Sequence, residues 1–399
     1  MIDLTHQPAT EGLVRRTEAF IRDVVLPVED AAHGDIEAAG GDECRVEMQA
    51  GARGAGVFGV HAPTEFGGHG LDMCERAPVF EASGYSLFGP TAMGIAAPDE
   101  GNIHMLDHLA DEQQRDAYLG PLARGEVRSA FAMTEPAPGA GSDPSALATR
   151  AERESGGWRI NGRKWFITGA DGAGFFIIMA RTAGEPGDRG GATMFLAPAG
   201  REGIRVGRHI STLDKAMLGG HCEVFFEDLF VPDEDVLGGV DQGYAGAQIR
   251  LGPARMTHVM RWLGAARRAH DLAVAHSNDR EAFRSPLSGL GMVQKMIADN
   301  EIDIAATRAL LMRACWELDQ GMRADDSTAI AKTFAAEAVG RIVDRSVQMC
   351  GGLGVSDDLP LARLSREVRP FRIYDGPSDV HRWAIAKRAS GRARKAVAQ

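Results

Sequence analysis

From Thr10 to about Ala130 apolar residues recur mostly at helical spacing. In "GLVRRTEAFIRDVV" Leu13, Phe20 and Val24 fall near one face, which predicts an amphipathic helix, and Gly-rich turns such as "EFGGHG" divide the helices of this region. Around Phe131 the pattern changes. Short apolar runs ("FFIIMA", "ATMFLAPA", "CEVFFEDLFVP") alternate with Gly, Pro and Asp turns as far as Gly243, the pattern of strands. After Tyr244 the helical period returns. In "STAIAKTFAAEAVGRIVDRSVQM" Ser327 is placed to cap a helix carrying Ile330, Phe334, Ala338 and Ile342 on one face. Long, low-glycine amphipathic helices bury such stripes against one another in bundles. The pattern predicts an α+β chain in three parts: an N-terminal all-α domain over 1–130, a middle β domain over 131–243 (barrel or sandwich), and a C-terminal α-bundle over 244–399.

Composition bounds the function. With 399 residues, 44% apolar and 25% charged, the chain is long enough for two or three domains around a sizeable core. A formal net charge of −11 argues against a nucleic-acid or anionic-membrane surface, which needs a concentrated basic patch. Cys44, Cys74, Cys222, Cys315 and Cys350 stand singly, without a C-x-x-C or a His at ligand spacing, so a reducing compartment and no metal site are expected. "MIDLTHQPATEG" lacks the features of a leader, and no apolar run has membrane-spanning length. The expectation is a cytoplasmic protein.

Three segments carry candidate chemistry. "FAMTEPAPGAGSD" (131–143) is a Gly-rich loop whose hydroxyls and free N–H groups suit an anion or a polar ring edge, and "WRINGRKWFITGA" (158–170) offers flat aromatic faces. Singly, each reads first as a tight turn or a hairpin. "RIYDGPSDVHR" (372–382) places Asp375 before a Gly-Pro turn, where it is either a turn-former or a base, and Ser378 or Asp379 could cap the helix that follows. His258 and His381 lie near these motifs without partners at metal spacing and read as packed residues.

Together the first two segments resemble the flavin-binding motifs of the acyl-CoA dehydrogenase family, and the likeness runs over nearly the whole chain. The resemblance implies FAD as cofactor. Phe131, Met133, Thr134, Gly141 and Ser142 belong to the first motif, with Met133 and Thr134 at the flavin's pyrimidine edge and Ser142 at its phosphates. In the second motif Phe166 packs on the isoalloxazine and Thr168 bonds near N5. "DREAF" resembles an R-x-x-F element whose Arg280 and Phe283 reach the FAD pyrophosphate of a neighbouring subunit, and "QMCGGLG" supplies Gln348, Gly351 and Gly352 near the adenosine.

By the same likeness Asp375 is the base that takes the α-proton of an acyl-CoA, its backbone N–H holding the thioester oxygen. Gly376 shapes the turn, Tyr374 desolvates the carboxyl, and Arg255 and Arg382 lie near the base. An electron-transfer flavoprotein is the implied acceptor, and a homodimer or homotetramer the implied assembly. Most relatives carry Glu at the base position, so Asp shortens the arm by about 1.5 Å, a displacement worth roughly a hundredfold if nothing compensates. Desolvation is expected to raise the Asp375 pKa. The loop "TEPAPGAGSD" is two residues longer than the common form, and Pro377 replaces a Thr. "APDEGNIHML", "GPARMTHVMRWLG" and "DGPSDVHR" resemble a subgroup with an aspartate base, some of whose members handle 4-hydroxyacyl-CoA substrates. Two other functions compete: an oxidase similar to nitroalkane oxidase, which pairs its aspartate with an arginine, and a non-catalytic flavoprotein.

Overall fold

The computed structural model describes residues 7–397; the first six residues, on which the expectation about a leader falls, and the last two of the basic tail lie outside them. The longer N-terminal helices are α1 (Pro8–Phe20), α2 (Asp42–Gly54), α3 (Met73–Ser83) and α4 (Asp99–Leu109). Asp72 begins α3 with a reciprocal cap, its carboxylate accepting from the Glu75 N–H while Glu75 accepts from the Asp72 N–H. The stripe expected on α1 is corrected at Val24. Beyond Phe20 the chain makes a π-helical turn, Ile21–Val25, and the extra residue rotates the face. Leu13 and Phe20 are buried, Val24 is 42% exposed, and Ile21 and Val25 take the core positions.

Eight strands follow: β1 (Ser129–Ala132), β2 (Arg150–Glu154), β3 (Gly157–Thr168), β4 (Phe175–Arg181), β5 (Ala192–Pro198), β6 (Ile204–His209), β7 (His221–Pro232) and β8 (Val236–Leu237). They form one sheet in the order β6-β7-β3-β2-β4-β5-β8, with β1 parallel to β4. The three apolar runs in the sequence are β4, β5 and β7. Every residue of β4 is buried, because Ile177 and Met179 pack toward Ile103 and Leu106 of α4 while Phe176 and Ile178 pack toward Trp158 and Val224. A strand covered on both faces reads as a continuous apolar run without alternation.

The C-terminal part holds four long helices, α5 (Gly243–Asp279), α6 (Gly291–Asp319), α7 (Asp325–Cys350) and α9 (Ser378–Val397), with the short α8 (Leu361–Val368) between the last two. The architecture is therefore helical, then sheet, then helical. α7 corrects the expected cap and stripe. It starts at Asp325, so Ser327 lies inside it and bonds to Glu317 and the Ala324 carbonyl. Ile330 is exposed and Phe334 half-buried, and the buried residues of the helix include Thr328, Ala331, Lys332, Ala335, Ala338, Val339 and Ile342. One buried lysine stands among these small and apolar residues.

Candidate active site

Asp375 sits in the turn that leads into α9, with φ +50° followed by +93° at Gly376. An aspartate tolerates the left-handed region, and glycine is needed next because a Cβ there would come within 2.6 Å of the His381 ring. The turn is held by its carbonyls. The Asp375 oxygen accepts from Arg255 Nε at 3.1 Å and His381 Nε2 at 3.2 Å, and the Gly376 oxygen accepts from Lys332 Nζ at 2.7 Å. Donors from α5, α7 and α9 thus converge on two adjacent peptides. Among the described residues the N–H of Asp375 has no acceptor and remains a free donor.

The carboxylate is enclosed on most sides and keeps 17% of its side-chain exposure. His258, one turn along α5 from Arg255, brings Nε2 to 3.1 Å from Asp375 Oδ2, although the approach is not aligned as a full hydrogen bond. The tautomer follows from the other side of the ring. Arg261 Nη2 lies 3.1 Å from His258 Nδ1, and a guanidinium only donates, so Nδ1 accepts and the ring proton sits on Nε2, facing Asp375. Arg261 is itself held by Glu100 and by the Ile95 carbonyl. Burial and the Arg261 charge lower the His258 pKa and keep the ring neutral. For Asp375 burial alone pushes the pKa up, but His258, Arg250 and Arg255 outweigh it and hold the carboxyl well below its ordinary range. The expected net rise is therefore corrected to a net fall. Tyr374 lies half-buried beside the His258 ring, at 4.8 Å between centroids, and its hydroxyl oxygen accepts from Trp262 Nε1.

The loop opening the sheet is hung on a buried ion pair. Lys164 Nζ bonds to Glu135 at 2.8 Å and to the Met133 and Met179 carbonyls, and Glu135 also accepts from the N–H groups of Ala140, Ala148 and Thr149. Burial lowers Lys164 to about 8, whereas the ammonium and these N–H groups overcome burial and hold Glu135 at about 2, so the pair is ionised at neutral pH. Thr134 is locked to the neighbouring strand, donating from Oγ1 to the Trp165 carbonyl at 2.8 Å. There the β3–β7 register shifts between Lys164 and Ile167, and Phe166 adopts φ +51° with 45% of its surface exposed. A bulky aromatic in the left-handed region is strained, and the bulge turns its ring outward. Phe131 lies beneath the Arg250 guanidinium, 4.6 Å away, and Arg250 in turn acts on Asp375, which links the loop to the base turn.

Three family models cover the chain: acyl-CoA dehydrogenase N-terminal domain over 7–126, middle domain over 130–229 and C-terminal domain over 241–390. The "Probable acyl-CoA dehydrogenase FadE2" of Mycobacterium tuberculosis is 38% identical over 346 residues, 86% of this chain and 84% of that protein. The chain belongs to the acyl-CoA dehydrogenase family. It is an oxidoreductase of that family, and FAD is its cofactor. Mouse acyl-CoA dehydrogenase family member 11 is 32% identical over 391 residues, 94% of this chain but 50% of that one, so the chain spans about half the length of that relative. The butyryl-CoA dehydrogenase of Megasphaera elsdenii superposes with a TM-score of 0.87 at 26% identity, covering 97% of this chain and 99% of the other.

The residues present fit a flavin. An outward aromatic face at Phe166, the half-buried Thr168 hydroxyl, open space around Gly141 and the exposed Ser142 form an apolar surface with a polar rim. Among the described residues Asp375 Oδ2 and Ser378 Oγ are buried without an aligned protein partner; Ser378, the first residue of α9, is thus not its cap.

One acyl-CoA dehydrogenase chain does not gather every expected residue. Arg280 ends α5 and Phe283, 89% exposed, lies in the hairpin after it. Twenty-two helical residues separate His258 from Arg280, about 33 Å at 1.5 Å per residue. Gln348, Gly351 and Gly352 end α7, with Gly351 in the left-handed region as a C-cap. His270 and Arg345 both bond Asn300, so these ends of α5 and α7 share the end of the bundle remote from the base. Arg382 is a correction. It lies half-exposed on α9 and pairs with Glu337 and Asp379, not with Asp375.

The sequence reading missed His258, His381, Lys332, Arg250, Glu135 and Lys164. A signal existed for two of them. Arg255, His258 and Arg261 recur at i, i+3, i+6 and share one face of α5, and Lys332 is a charge inside a run of small residues.

Proposed function

We propose that the protein catalyses FAD-dependent α,β-dehydrogenation of an acyl-CoA thioester to the trans-2-enoyl-CoA, with Asp375 removing the α-proton. The observation that supports this most is a carboxylate enclosed yet open on one side, with a free backbone N–H beside it. Bound FAD supplies the acceptor for the β-hydrogen, at N5. Phe131, Met133, Thr134, Gly141, Ser142, Phe166 and Thr168 of one chain would hold the flavin end, and Arg280, Phe283, Gln348, Gly351 and Gly352 of a second subunit the pyrophosphate and adenosine.

The Asp375 N–H presents a donor to the thioester oxygen, which stabilises the developing enolate and acidifies the α-carbon. Because its pKa is held low, Asp375 is ionised before substrate enters. An acyl chain closing the open side strips the remaining water, and desolvation then raises its basicity where proton transfer occurs. Arg255, His381 and Lys332 fix the turn, so the shorter aspartate arm is compensated by a pinned backbone.

An electron-transfer flavoprotein as acceptor, a homodimer or homotetramer and a cytoplasmic setting complete the reading. The oxidase alternative drew on an Asp375–Arg382 pair, and Arg382 is engaged elsewhere. Anaerobic mixing of the FAD-loaded protein with a panel of acyl-CoAs tests the proposal. Bleaching of the flavin by at least one is expected; no bleaching by any, with FAD fully bound, overturns it.

A further inference from the structure

We propose that Thr168, His221 and Asp214 form a hydrogen-bonded relay that fixes the sense of the hydroxyl facing the flavin and thereby sets the flavin's redox potential, with His221 as the positioning residue. The inference rests on the FAD reading above, in which Thr168 stands beside N5.

Thr168 ends β3 and His221 begins β7, and the two are paired in register. Thr168 Oγ1 lies 2.9 Å from His221 Nδ1, and His221 Nε2 lies 2.8 Å from Asp214 Oδ2. Both Asp214 and His221 are largely enclosed. Burial pushes the Asp214 pKa up, but the bond to His221 outweighs it and the carboxyl is held below its ordinary range. An ionised carboxylate only accepts, so the His221 proton is on Nε2. In the neutral ring Nδ1 then only accepts, and the single proton of the Thr168 hydroxyl is committed to it. The other side of Oγ1 presents lone pairs alone. Such an oxygen favours a neighbour that bears an N–H over one that bears a lone pair, and flavin N5 bears a proton only when reduced. The relay therefore favours reduced flavin.

Asp214 is not on a free loop. The Lys215 N–H donates to Glu367 of α8, the Lys215 carbonyl accepts from the Ile36 N–H at 3.3 Å, and the Gly219 N–H donates to Glu37 at 3.2 Å. The segment is clamped between the N-terminal helices and the C-terminal bundle, which keeps the carboxylate under the imidazole. Among the described residues Asp214 Oδ1 has no partner, so His221 is the group it serves.

The test is the midpoint potential of the FAD-loaded protein at pH 8, read spectroelectrochemically beside its FAD content and visible spectrum. Thr168→Val and His221→Leu are each expected to shift the reduced-to-oxidised ratio about tenfold toward oxidised, a fall of about 30 mV for a two-electron couple. Thr168→Ser keeps the hydroxyl, and His221→Asn keeps an amide oxygen to accept from it, so both should stay near the parent value. If Thr168→Val shifts the potential and His221→Leu does not, the relay is wrong and the FAD placement stands. If Thr168→Val changes neither potential nor spectrum at full FAD content, the placement itself is wrong. Should His221→Leu fail to fold, Asp214→Asn reads the same relay. Its amide can donate to Nε2, move the ring proton to Nδ1 and release the hydroxyl, so its potential should fall too, and an unchanged value overturns the relay.

Discussion

Nε2 of His258 stands 3.1 Å from Oδ2 of Asp375, so the carboxylate that the sequence presents as a lone base is half of a pair. The imidazole N–H lowers the Asp375 pKa against the burial that raises it. Removing it leaves burial less opposed, so the pKa must rise. His258→Leu is expected to move the acidic limb of the kcat/KM profile to higher pH, with FAD content unchanged. His258→Gln, which keeps an N–H donor, should restore part of the shift. An acidic limb that does not move would show that the pair has no electrostatic role.

Arm length gives a second test. Three donors fix the backbone at Asp375 and Gly376, so the turn cannot retreat to accommodate a longer side chain. Asp375→Glu should lower kcat, roughly a hundredfold for a displacement near 1.5 Å. Asp375→Asn should lower it by 10²–10⁴-fold or more while the FAD spectrum persists. A Glu variant faster than the parent would mean that the pinned turn does not compensate for the short arm.

Much of this was legible in the sequence, and the gaps have physical reasons. β4 and β5 announce themselves because burial on both faces makes an apolar run. The slip on α1 came from a π-helical turn, which a fixed period of 3.6 cannot register, and the slip on α7 from giving weight to Ile330 and Phe334 when the buried positions around Lys332 are largely alanines. The motif singles out Asp375 as a candidate base, but its pKa depends on His258, 117 positions earlier in the chain. A histidine without a partner nearby in sequence looks idle until the fold supplies one.

Lys332 is buried with its ammonium on the Gly376 carbonyl, and burial brings its pKa down to about 8. Lys332→Met keeps the volume and removes the donor. The freed turn should lose kcat by tenfold or more, while KM and FAD content change less. Because the methionine also relieves a buried charge, thermal stability should fall by no more than about 1–3 kcal/mol, the cost of an unmet carbonyl. Unchanged kcat in a folded variant would remove Lys332 from the machinery.

If Arg280 of one chain completes the FAD site of another, two different defects should complement. Asp375→Asn and Arg280→Ala chains are each expected to be poorly active alone. Co-expressed, a mixed dimer carries one site with both defects and one with neither. Activity should therefore return, up to about half the parent's per mixed dimer. Absence of recovery, with mixed dimers demonstrated by affinity tagging, would place Arg280 and Asp375 at the same site or outside it.

Glu367 on α8 offers a stability test away from the chemistry. Burial pushes its pKa up to about 8, against the backbone N–H groups of Lys215 and Ala216 that lower it. Between the ordinary value of 4.5 and about 8 the folded chain holds a proton that the unfolded chain has released. The folded state binds more protons there, so stability from this group falls as pH rises through the window. Glu367→Gln keeps an oxygen for those N–H groups and cannot ionise. At pH 4, below the window, its melting temperature should match the parent's closely; at pH 9 it should be higher, by about 1 kcal/mol or more in unfolding free energy. A Gln variant less stable than the parent at pH 9 would mean that the ionised carboxylate holds the 214–216 segment, and that the clamp beneath His221 depends on charge.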